Sequence, residues 1–484
     1  MSASRPDLGH VVVVGAGIAG LAAAHRLLGR GTRVTVVEAS DRVGGKLLPG
    51  EIAGVRVDLG AESMLARRPE AVDLAREVGL TDRLRPPATA TASIWTRGAL
   101  RPMPKGHVMG VPGTADALAG VLSDEGLARI ERDAELPRTE VGDDVAVGEY
   151  VAARLGREVV DRLVEPLLGG VYAGDAYRIS MRSAVPQLFR AARTHDSLTE
   201  AVREIQAGAA AGGQTGPVFM GIQGGVGRLP LAVARSVADR GGEILTGTPV
   251  TELRRTAPTG WQVVAGERVL RADAVVVAVP APAAAALLGA ESPAAAAELR
   301  TVEYASMALV TLAYRRAGVA LPEGSGFLVP PVDGRTIKAS TFASRKWGWI
   351  ADEDPDVLVL RTSVGRYGET EILEREDAHL VDVSRHDLRE ATGLDAEPLA
   401  TRVTRWDDGL PQYPVGHHAR VARIREEVAK LPGLAVCGAQ YDGVGIPACI
   451  ASAYAAVDQL GGDPRGVSEL NANPVQSLHG GAGE

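Results

Sequence analysis

A glycine-rich turn between an apolar strand and a helix constrains this chain more than any other feature. His10 to Val14 reads as a buried strand, and Gly15, Gly17 and Gly20 follow it directly before a helical pattern. Gly15 permits a tight turn, Gly17 lets the backbone approach a pyrophosphate, and Gly20 allows the helix to pack closely on the strand. Because the helix N-terminus presents free amides and the positive end of its dipole, the sequence predicts a dinucleotide site here.

An acidic residue completes this opening unit. Arg33 to Glu38 reads as a second strand, and Glu38 ends it at a position where a carboxylate can accept hydrogen bonds from ribose hydroxyls. A glycine-rich turn without a ligand is the alternative, but the strand, helix and acid together favour a nucleotide. The motif by itself does not distinguish FAD from NAD.

Composition excludes several classes of protein. At 484 residues the chain is too long for one hydrophobic core, so two or three domains are expected. Its formal net charge of -8 argues against a nucleic-acid partner, because neutralising phosphates needs a basic face. Cys437 and Cys449 lie in apolar stretches and predict neither a disulfide framework nor a metal site.

The predicted fold class is α/β, or α+β for the chain as a whole. Only 4% of the residues are aromatic and 58 are Gly, which favours an interior of small and branched side chains with helices close to a sheet. No apolar segment reaches the roughly 20 residues of a membrane-spanning helix, and no signal peptide is recognisable. We therefore expect a soluble, cytoplasmic protein without integral membrane contact.

The residues after Glu38 distinguish between the two cofactors. The run from Glu38 to Lys46 places a glycine pair and a base after the acid, and it resembles the same region of flavoproteins in the amine-oxidase superfamily. The resemblance implies FAD, with Lys46 placed to neutralise phosphate charge. It also implies that the loop from Asp58 to Ser63 approaches the flavin ring system.

Two later segments resemble the same superfamily. Gly224 to Gly227, followed by Thr248 to Val250, is similar to the segment whose backbone meets the adenine, although an ordinary hairpin is the alternative. Val436 to Pro447 resembles the second flavin-contacting strand and loop, whose amides would face the ring edge. The cofactor contacts implied by the resemblance are Gly15, Ala16, Gly17, Ile18, Ala19, Gly20, Glu38, Ala39, Gly45, Lys46, Gly60, Ala61, Glu62, Ser63, Val250, Trp406, Val444, Gly445 and Ile446.

Four further runs narrow the family. Residues 101–112, 165–175, 324–331 and 341–347 resemble protoporphyrinogen and coproporphyrinogen oxidases, and the resemblance extends to about Leu460. It implies oxidation of coproporphyrinogen III to coproporphyrin III in haem biosynthesis, with hydride equivalents passing to FAD and dioxygen giving hydrogen peroxide. Because this chemistry is mainly the cofactor's, the sequence nominates no catalytic acid or base.

Three residues are candidates for contact with a propionate-bearing tetrapyrrole. Arg67 and Arg68 follow the loop from Asp58 to Ser63, and a guanidinium suits a carboxylate; a solvated pair at a helix start is the alternative. Gly170 could bring backbone carbonyls to pyrrole N–H groups, and a helix-ending glycine is the alternative. His417 and His418 are expected to serve surface or interdomain packing, and Cys437 to lie in the core.

The expected organisation is three domains and a tail. They are a discontinuous, Rossmann-like FAD-binding domain (1–75, 215–285 and 401–460), a mainly helical domain (76–214), a β-rich substrate-binding domain (286–400) and a disordered tail (461–484). Within the first domain, Val250 to Arg254, Trp261 to Val264 and Val275 to Val279 are predicted to form a meander.

Other functions stay open on the sequence. Protoporphyrinogen is the alternative substrate; the lack of a membrane segment and the run from Gly60 to Arg68, typical of bacterial soluble members, favour coproporphyrinogen. An amine oxidase or a carotenoid desaturase would use the same scaffold, and a non-catalytic flavin-binding module is a further alternative. Expected partners are the tetrapyrrole, dioxygen and, transiently, the next haem-pathway enzyme, with the chain a monomer or a homodimer.

Overall fold

The computed structural model describes residues 8–211, 216–257 and 259–461, so the expected disordered tail lies outside the described residues from position 462 onward. The strands are β1 His10–Val14, β2 Arg33–Val37, β3 Pro49–Ile52, β4 Val55–Asp58, β5 Met64–Leu65, β6 Leu84–Arg85, β7 Ser93–Thr96, β8 Ala99–Pro102, β9 His107–Val108, β10 Val111–Pro112, β11 Phe219–Ile222, β12 Glu243–Leu245, β13 Val250–Thr256, β14 Gly260–Ala265, β15 Arg268–Ala272, β16 Ala274–Val277, β17 Tyr304–Arg315, β18 Gly326–Leu328, β19 Ile337–Thr341, β20 Val357–Val364, β21 Ala400–Pro411 and β22 Leu434–Val436.

Helices alternate with these strands along the chain. They are α1 Ile18–Leu28, α2 Pro69–Glu77, α3 Asp124–Glu131, α4 Val147–Leu155, α5 Arg157–Val159, α6 Glu165–Tyr172, α7 Met181–Ala184, α8 Pro186–Ala192, α9 Leu198–Ala211, α10 Arg228–Asp239, α11 Ala281–Leu288, α12 Pro293–Arg300, α13 Ala343–Lys346, α14 Gly348–Glu353, α15 Asp377–Thr392, α16 His417–Ala429 and α17 Ile446–Leu460. The described residues also form short 3₁₀ turns and one π turn, Val160–Val164.

A five-stranded parallel sheet forms the first layer, in the order β12-β2-β1-β16-β22. Val11 at its centre pairs with Val34 on one side and Ala274 on the other. Helices α1, α10 and α17 cover one face, while α11, α12 and α16 with a small antiparallel sheet cover the other. Because both faces are buried, the strands are continuous apolar runs. The α/β class and the opening βαβ unit are confirmed.

A seven-stranded mixed sheet forms the second layer, in the order β21-β17-β20-β19-β18-β7-β8. Its long central strand β17 pairs antiparallel with β20 and β21, and α15 packs across it over an apolar core. Strands β7 and β8 come from the region expected to be mainly helical, and β21 from the third segment assigned to the FAD domain. The division of the chain into domains stays a prediction.

One predicted element belongs elsewhere. The meander consists of β13, β14 and β15, whereas Ala274–Val277 lies inside the parallel sheet between β1 and β22. The prediction that Val275 to Val279 forms a meander strand was therefore wrong. The physical reason is that four consecutive buried apolar residues need cover on both faces, which the parallel sheet supplies and the meander does not.

Candidate functional site

The glycine turn after β1 imposes a different constraint at each glycine. Gly15 has a φ of +103°, which a side chain would strain. A Cβ on Gly20 would stand 1.9 Å from the carbonyl oxygen of Gly15, whereas a Cβ on Gly17 would meet nothing within 4 Å. Gly17 is the N-cap of α1, and no side chain among the described residues caps this helix end. The turn therefore leaves open space beside unsatisfied helix amides, next to Ala16, Ile18 and Ala19.

Glu38 lies beside this turn. Its Oε2 accepts a hydrogen bond from the Ala16 amide at 2.7 Å, and its Oε1 accepts from the Ser40 amide at 2.9 Å. Its backbone carbonyl accepts from the Thr248 amide at 2.8 Å, two residues before Val250. The structure thus brings Glu38, Ala39 and the start of β13 to the rim of the glycine turn.

A second glycine pair packs on the first motif. The Gly44 amide donates to the Ala16 carbonyl at 2.8 Å, and a Cβ on Gly45 would lie 3.3 Å from the Cα of Gly17. Lys46 follows, with its ammonium 5.9 Å from the centre of the Tyr304 ring. The two motifs that suggested a flavin from sequence therefore form one continuous glycine-lined surface.

Asp58 connects this surface to the later glycine run. Its buried carboxylate accepts hydrogen bonds from the amides of Val226 and Gly227, each at 2.9 Å. Burial raises the pKa of Asp58 to about 7, although those amides act to lower it. Residues 224–227 thus form a turn that anchors the start of the loop from Asp58 to Ser63.

Trp406 closes over the same loop. Its indole Nε1 donates to the Leu59 carbonyl at 3.0 Å, and a Cβ on Gly60 would lie 3.1 Å from the indole ring and 2.1 Å from the Lys46 carbonyl. Gly60 is therefore enclosed by Lys46 and Trp406. Ala61 is exposed, and Ser63 is partly buried at the far end of the loop.

Glu62 has a partner set that the sequence did not reveal. Its carboxylate lies 2.7 Å from the Lys346 ammonium and 3.1 Å from the Arg361 guanidinium. Burial acts to raise the pKa of Glu62, but the two cations hold it below its usual value. The side chain is therefore committed to this ion triad, and only the backbone of Glu62 is left for the predicted cofactor contact.

The C-terminal loop joins two hydrophobic cores. Val444 packs against the core of the helical region, while Ile446 begins α17 inside the core beside α1. Gly445 is the N-cap of α17, and no side chain of the described chain caps this end either. Since α17 packs along α1, the structure places the two predicted cofactor loops at the start of neighbouring helices.

The three predicted substrate residues occupy different surroundings. Arg67 is partly buried and forms no ion pair with any residue in the described ranges. Arg68 is the N-cap of α2, and its guanidinium lies 2.6 Å from Glu70. Gly170 lies within α6, where a Cβ would reach Leu328 at 3.7 Å; the left-handed residue that ends this helix is Ala173, not a glycine.

The packing interpretations of His417 and Cys437 agree with the structure. His417 is buried, its Nε2 donates a hydrogen bond to the Tyr441 carbonyl, and its ring stacks on Tyr413 with the ring centres 4.0 Å apart. Burial lowers the pKa of His417 to about 4, so this imidazole is neutral at physiological pH. Cys437 is fully buried at the end of β22.

Sequence reasoning missed Arg361 and Lys346. Arg361 interrupts the apolar run of β20, and a lone charge in a buried strand was the available signal. Its guanidinium also donates to the Gly60 carbonyl at 2.8 Å, so it positions the loop expected to meet the flavin.

Among the helices of the described ranges, none is both long and apolar enough to cross a membrane.

Comparisons with known proteins extend over almost the whole chain. The sequence pattern of the family described as flavin containing amine oxidoreductase matches residues 18–461. A coproporphyrinogen III oxidase of Mycobacterium tuberculosis is 40% identical over 93% of this chain and 96% of its own length, and that of Bacillus subtilis is 34% identical over 93% and 97%.

A solved structure assigned as a protoporphyrinogen oxidase, from Exiguobacterium, superposes with a TM-score of 0.83. It is 32% identical and covers 95% of this chain and 99% of its own. A cyclohexylamine oxidase from Brevibacterium oxydans, 19% identical with a TM-score of 0.67, has the same fold. With its glycine turns in place and matches along almost its whole length, the chain belongs to the family of flavin-containing amine oxidoreductases.

Proposed function

We propose that this FAD-dependent oxidoreductase oxidises coproporphyrinogen III to coproporphyrin III in haem biosynthesis. The observation that carries the proposal is similarity over 93% of the chain to enzymes named for that reaction. The reaction removes six hydrogens from the tetrapyrrole in three two-electron steps, and three dioxygen molecules would take them up as hydrogen peroxide. When bound, FAD accepts the hydride equivalents.

The residues of the glycine turn fit an FAD diphosphate. The open space at Gly17 and the uncapped amides of α1 suit phosphate oxygens, while the Glu38 carboxylate at the rim suits a ribose. Val250 and the loop at Val444 to Ile446 would hold the two ends of the cofactor. The open space and free amides around these residues support this placement of FAD, as does the resemblance of the motifs to those of flavoproteins.

For the substrate, the chain's own task is to orient the tetrapyrrole and exclude water. Arg67 follows the loop from Asp58 to Ser63 and forms no ion pair within the described ranges, so we assign it to a propionate. Gly170 faces Leu328, which is consistent with a wall built from α6 and β18. The cytoplasmic setting, the transient contact with the next pathway enzyme and the monomeric or homodimeric state remain predictions of the sequence.

A direct assay separates the candidate substrates. The purified, FAD-loaded protein would be given coproporphyrinogen III, protoporphyrinogen IX or a primary amine in air, and porphyrin fluorescence and peroxide would be followed. We expect the highest kcat/KM with coproporphyrinogen III. Protoporphyrinogen IX is the second candidate because the Exiguobacterium structure carries that assignment. A higher kcat/KM with protoporphyrinogen IX, or turnover of the amine alone, would overturn the proposal.

A further inference from the structure

A cavity of about 660 Å³ lies beyond the edge strand β22, between helices α8, α16 and α17. We call it the arginine groove, after its lining residues Arg68, Arg182, Arg190, Arg193 and Arg425. The lining contains none of the residues assigned above to the cofactor, and its one predicted substrate residue, Arg68, is paired with Glu70. Its volume is in the range of small-molecule sites.

The groove carries excess positive charge. Its five arginines face two acids, Glu426 and Asp442. Arg425 pairs with Asp442, and Arg68 pairs with Glu70 outside the lining. The other three, Arg182, Arg190 and Arg193, form no ion pair anywhere in the described parts of the chain. Three unneutralised guanidinium groups around one cavity favour an anionic occupant.

Phe189 is a buried ring, 4% exposed, that lies beneath two of these cations. The guanidinium carbons of Arg182 and Arg193 lie 6.0 and 5.8 Å from the centre of the Phe189 ring. Pro186 and Val421 add apolar surface to the lining. A ligand that matched this wall would combine a flat apolar body with carboxylates at its edge.

Two buried polar atoms in the lining are unsatisfied. Tyr441 and His417 are each 2% exposed, yet within the described residues the Tyr441 hydroxyl and His417 Nδ1 have no hydrogen-bond partner. Neither atom is accessible from the groove, so the case for an anionic occupant depends on the arginine charges.

We propose that the arginine groove is a second binding site for a carboxylate-bearing porphyrin, the product of the reaction, separate from the site of oxidation. The proposal rests on the proposed function, because four propionates around a planar macrocycle are what this wall would recognise. Bidentate guanidinium–carboxylate contacts from Arg190 and Arg193 hold the edge of the porphyrin, and the exposed lining residues Ala422 and Ala429 contact its face.

Occupancy of the groove changes the loop from Gly443 to Ile446, which is predicted to meet the flavin. Asp442, which pairs with Arg425, and Tyr441, whose carbonyl holds His417, directly precede Gly443 and Val444 in the chain. A carboxylate that competes for Arg425 releases Asp442 and changes the position of this loop. Bound product therefore slows turnover, and excess substrate does not relieve the inhibition.

Binding stoichiometry provides the test. FAD-loaded enzyme would be titrated anaerobically with coproporphyrin III, following protein and porphyrin fluorescence. The wild type should bind two equivalents. The double variant Arg190→Glu/Arg193→Glu should bind one over the same range of porphyrin concentration, because reversing two charges weakens the second site at least about tenfold and moves its binding beyond that range. The control Arg235→Glu/Arg255→Glu changes two exposed arginines outside the groove by the same charge and should retain both equivalents.

Inhibition kinetics give the second readout. Without added product, the double variant Arg190→Glu/Arg193→Glu, the groove variant, should keep the wild-type kcat/KM. Its inhibition by coproporphyrin III should become purely competitive. One equivalent bound by the wild type, or two bound by the groove variant, would overturn the proposal. Failure of all variants to oxidise coproporphyrinogen III would instead refute the proposed function, and the titration would still decide whether the groove binds porphyrin.

Discussion

Gly17 and Gly20 lie three residues apart in one motif, yet a side chain is excluded at the two positions for different reasons. A Cβ at Gly20 would collide with the Gly15 carbonyl at 1.9 Å, so the fold itself excludes a side chain there. At Gly17 the fold has room for a Cβ, since no atom lies within 4 Å, and its φ of -67° suits any residue. We therefore predict that the requirement for glycine at position 17 comes from the ligand.

Alanine substitutions separate these two roles. Gly17→Ala should leave the free energy of unfolding of the apoprotein within about 1 kcal/mol of wild type, while FAD affinity falls at least tenfold because the methyl group occupies phosphate space. Gly20→Ala should destabilise the apoprotein by about 3 kcal/mol through overpacking. Urea unfolding and flavin fluorescence titration measure the two quantities. Unchanged FAD affinity in Gly17→Ala would show that the cofactor lies elsewhere.

Lys338 is a buried amine with one well-formed hydrogen bond to the part of the chain that the structure describes. Its Nζ donates to the Gly365 carbonyl at 2.7 Å. Burial and the nearby Arg366 lower the pKa of Lys338 to about 7, while Glu369 acts weakly in the opposite direction. The unfolded chain keeps this proton up to about pH 10.5, so between the two values folding releases a proton and stability rises with pH.

Lys338→Met tests that linkage. The variant should be more stable than wild type at pH 7 by roughly 2 kcal/mol, after allowing for the lost hydrogen bond. It should also lose part of the wild-type gain in stability between pH 7 and 10. Urea unfolding at both pH values measures this, with exposed Lys105→Met as the control. A variant less stable than wild type at both pH values would refute the linkage.

At the scale of elements, charge and burial decide how the helical region holds together. Arg154 on α4 and Asp133 lie 2.7 Å apart with side chains 1% exposed each. Asp133 also accepts a hydrogen bond from the Thr199 amide at 2.9 Å, and Arg154 donates to the Asp196 carbonyl at 2.6 Å. This buried pair therefore joins the C-terminal end of α4 to the start of α9.

Removing the cation should uncouple these elements. Arg154→Met leaves the Asp133 carboxylate buried without its partner and should lower the free energy of unfolding by about 4 kcal/mol. The control Arg157→Met, three residues further along and 72% exposed, should change it by less than about 1 kcal/mol. Denaturant unfolding of both variants makes the comparison; equal effects would show that the burial of the pair contributes nothing.

At the scale of the whole molecule, one ion triad connects the two large sheets. Glu62 belongs to the loop beside the glycine turns, whereas Arg361 lies on β20 and Lys346 ends α13 in the second layer. Their contacts of 2.7 and 3.1 Å cross between the layers. The loop expected to meet the flavin is thus held by residues about 300 positions away in the chain.

Glu62→Gln should weaken this connection. With both cations left partly buried, we expect a loss of about 3 kcal/mol at pH 7. Because the folded pKa of Glu62 is lowered, its stabilisation is present above the unfolded value of 4.5 and disappears as pH falls through the folded value. Unfolding at pH 7 and pH 3 should therefore show a smaller difference between variant and wild type in acid. Glu353→Gln, which removes the partner of the half-exposed Arg56, is the control.

The sequence alone was sufficient for the opening unit, the flavin and the family. The turn at Gly15 to Gly20 is formed by neighbouring residues, so their identities and order carry its geometry. The α/β class followed from the same local pattern. The strand Ala274–Val277 was placed in the wrong sheet because an apolar run indicates burial without naming the strands that flank it.

Only the tertiary structure decided which side chains form ion pairs and hydrogen bonds with each other. It committed the carboxylate of Glu62 to two cations, placed Asp58 under the turn at Gly227, and left Arg182, Arg190 and Arg193 around a groove. Each of these outcomes depends on side chains brought together across hundreds of residues, and spacing along the chain carries no record of such encounters. Local geometry is determined by adjacent residues, whereas electrostatic partnership is determined by the packed fold.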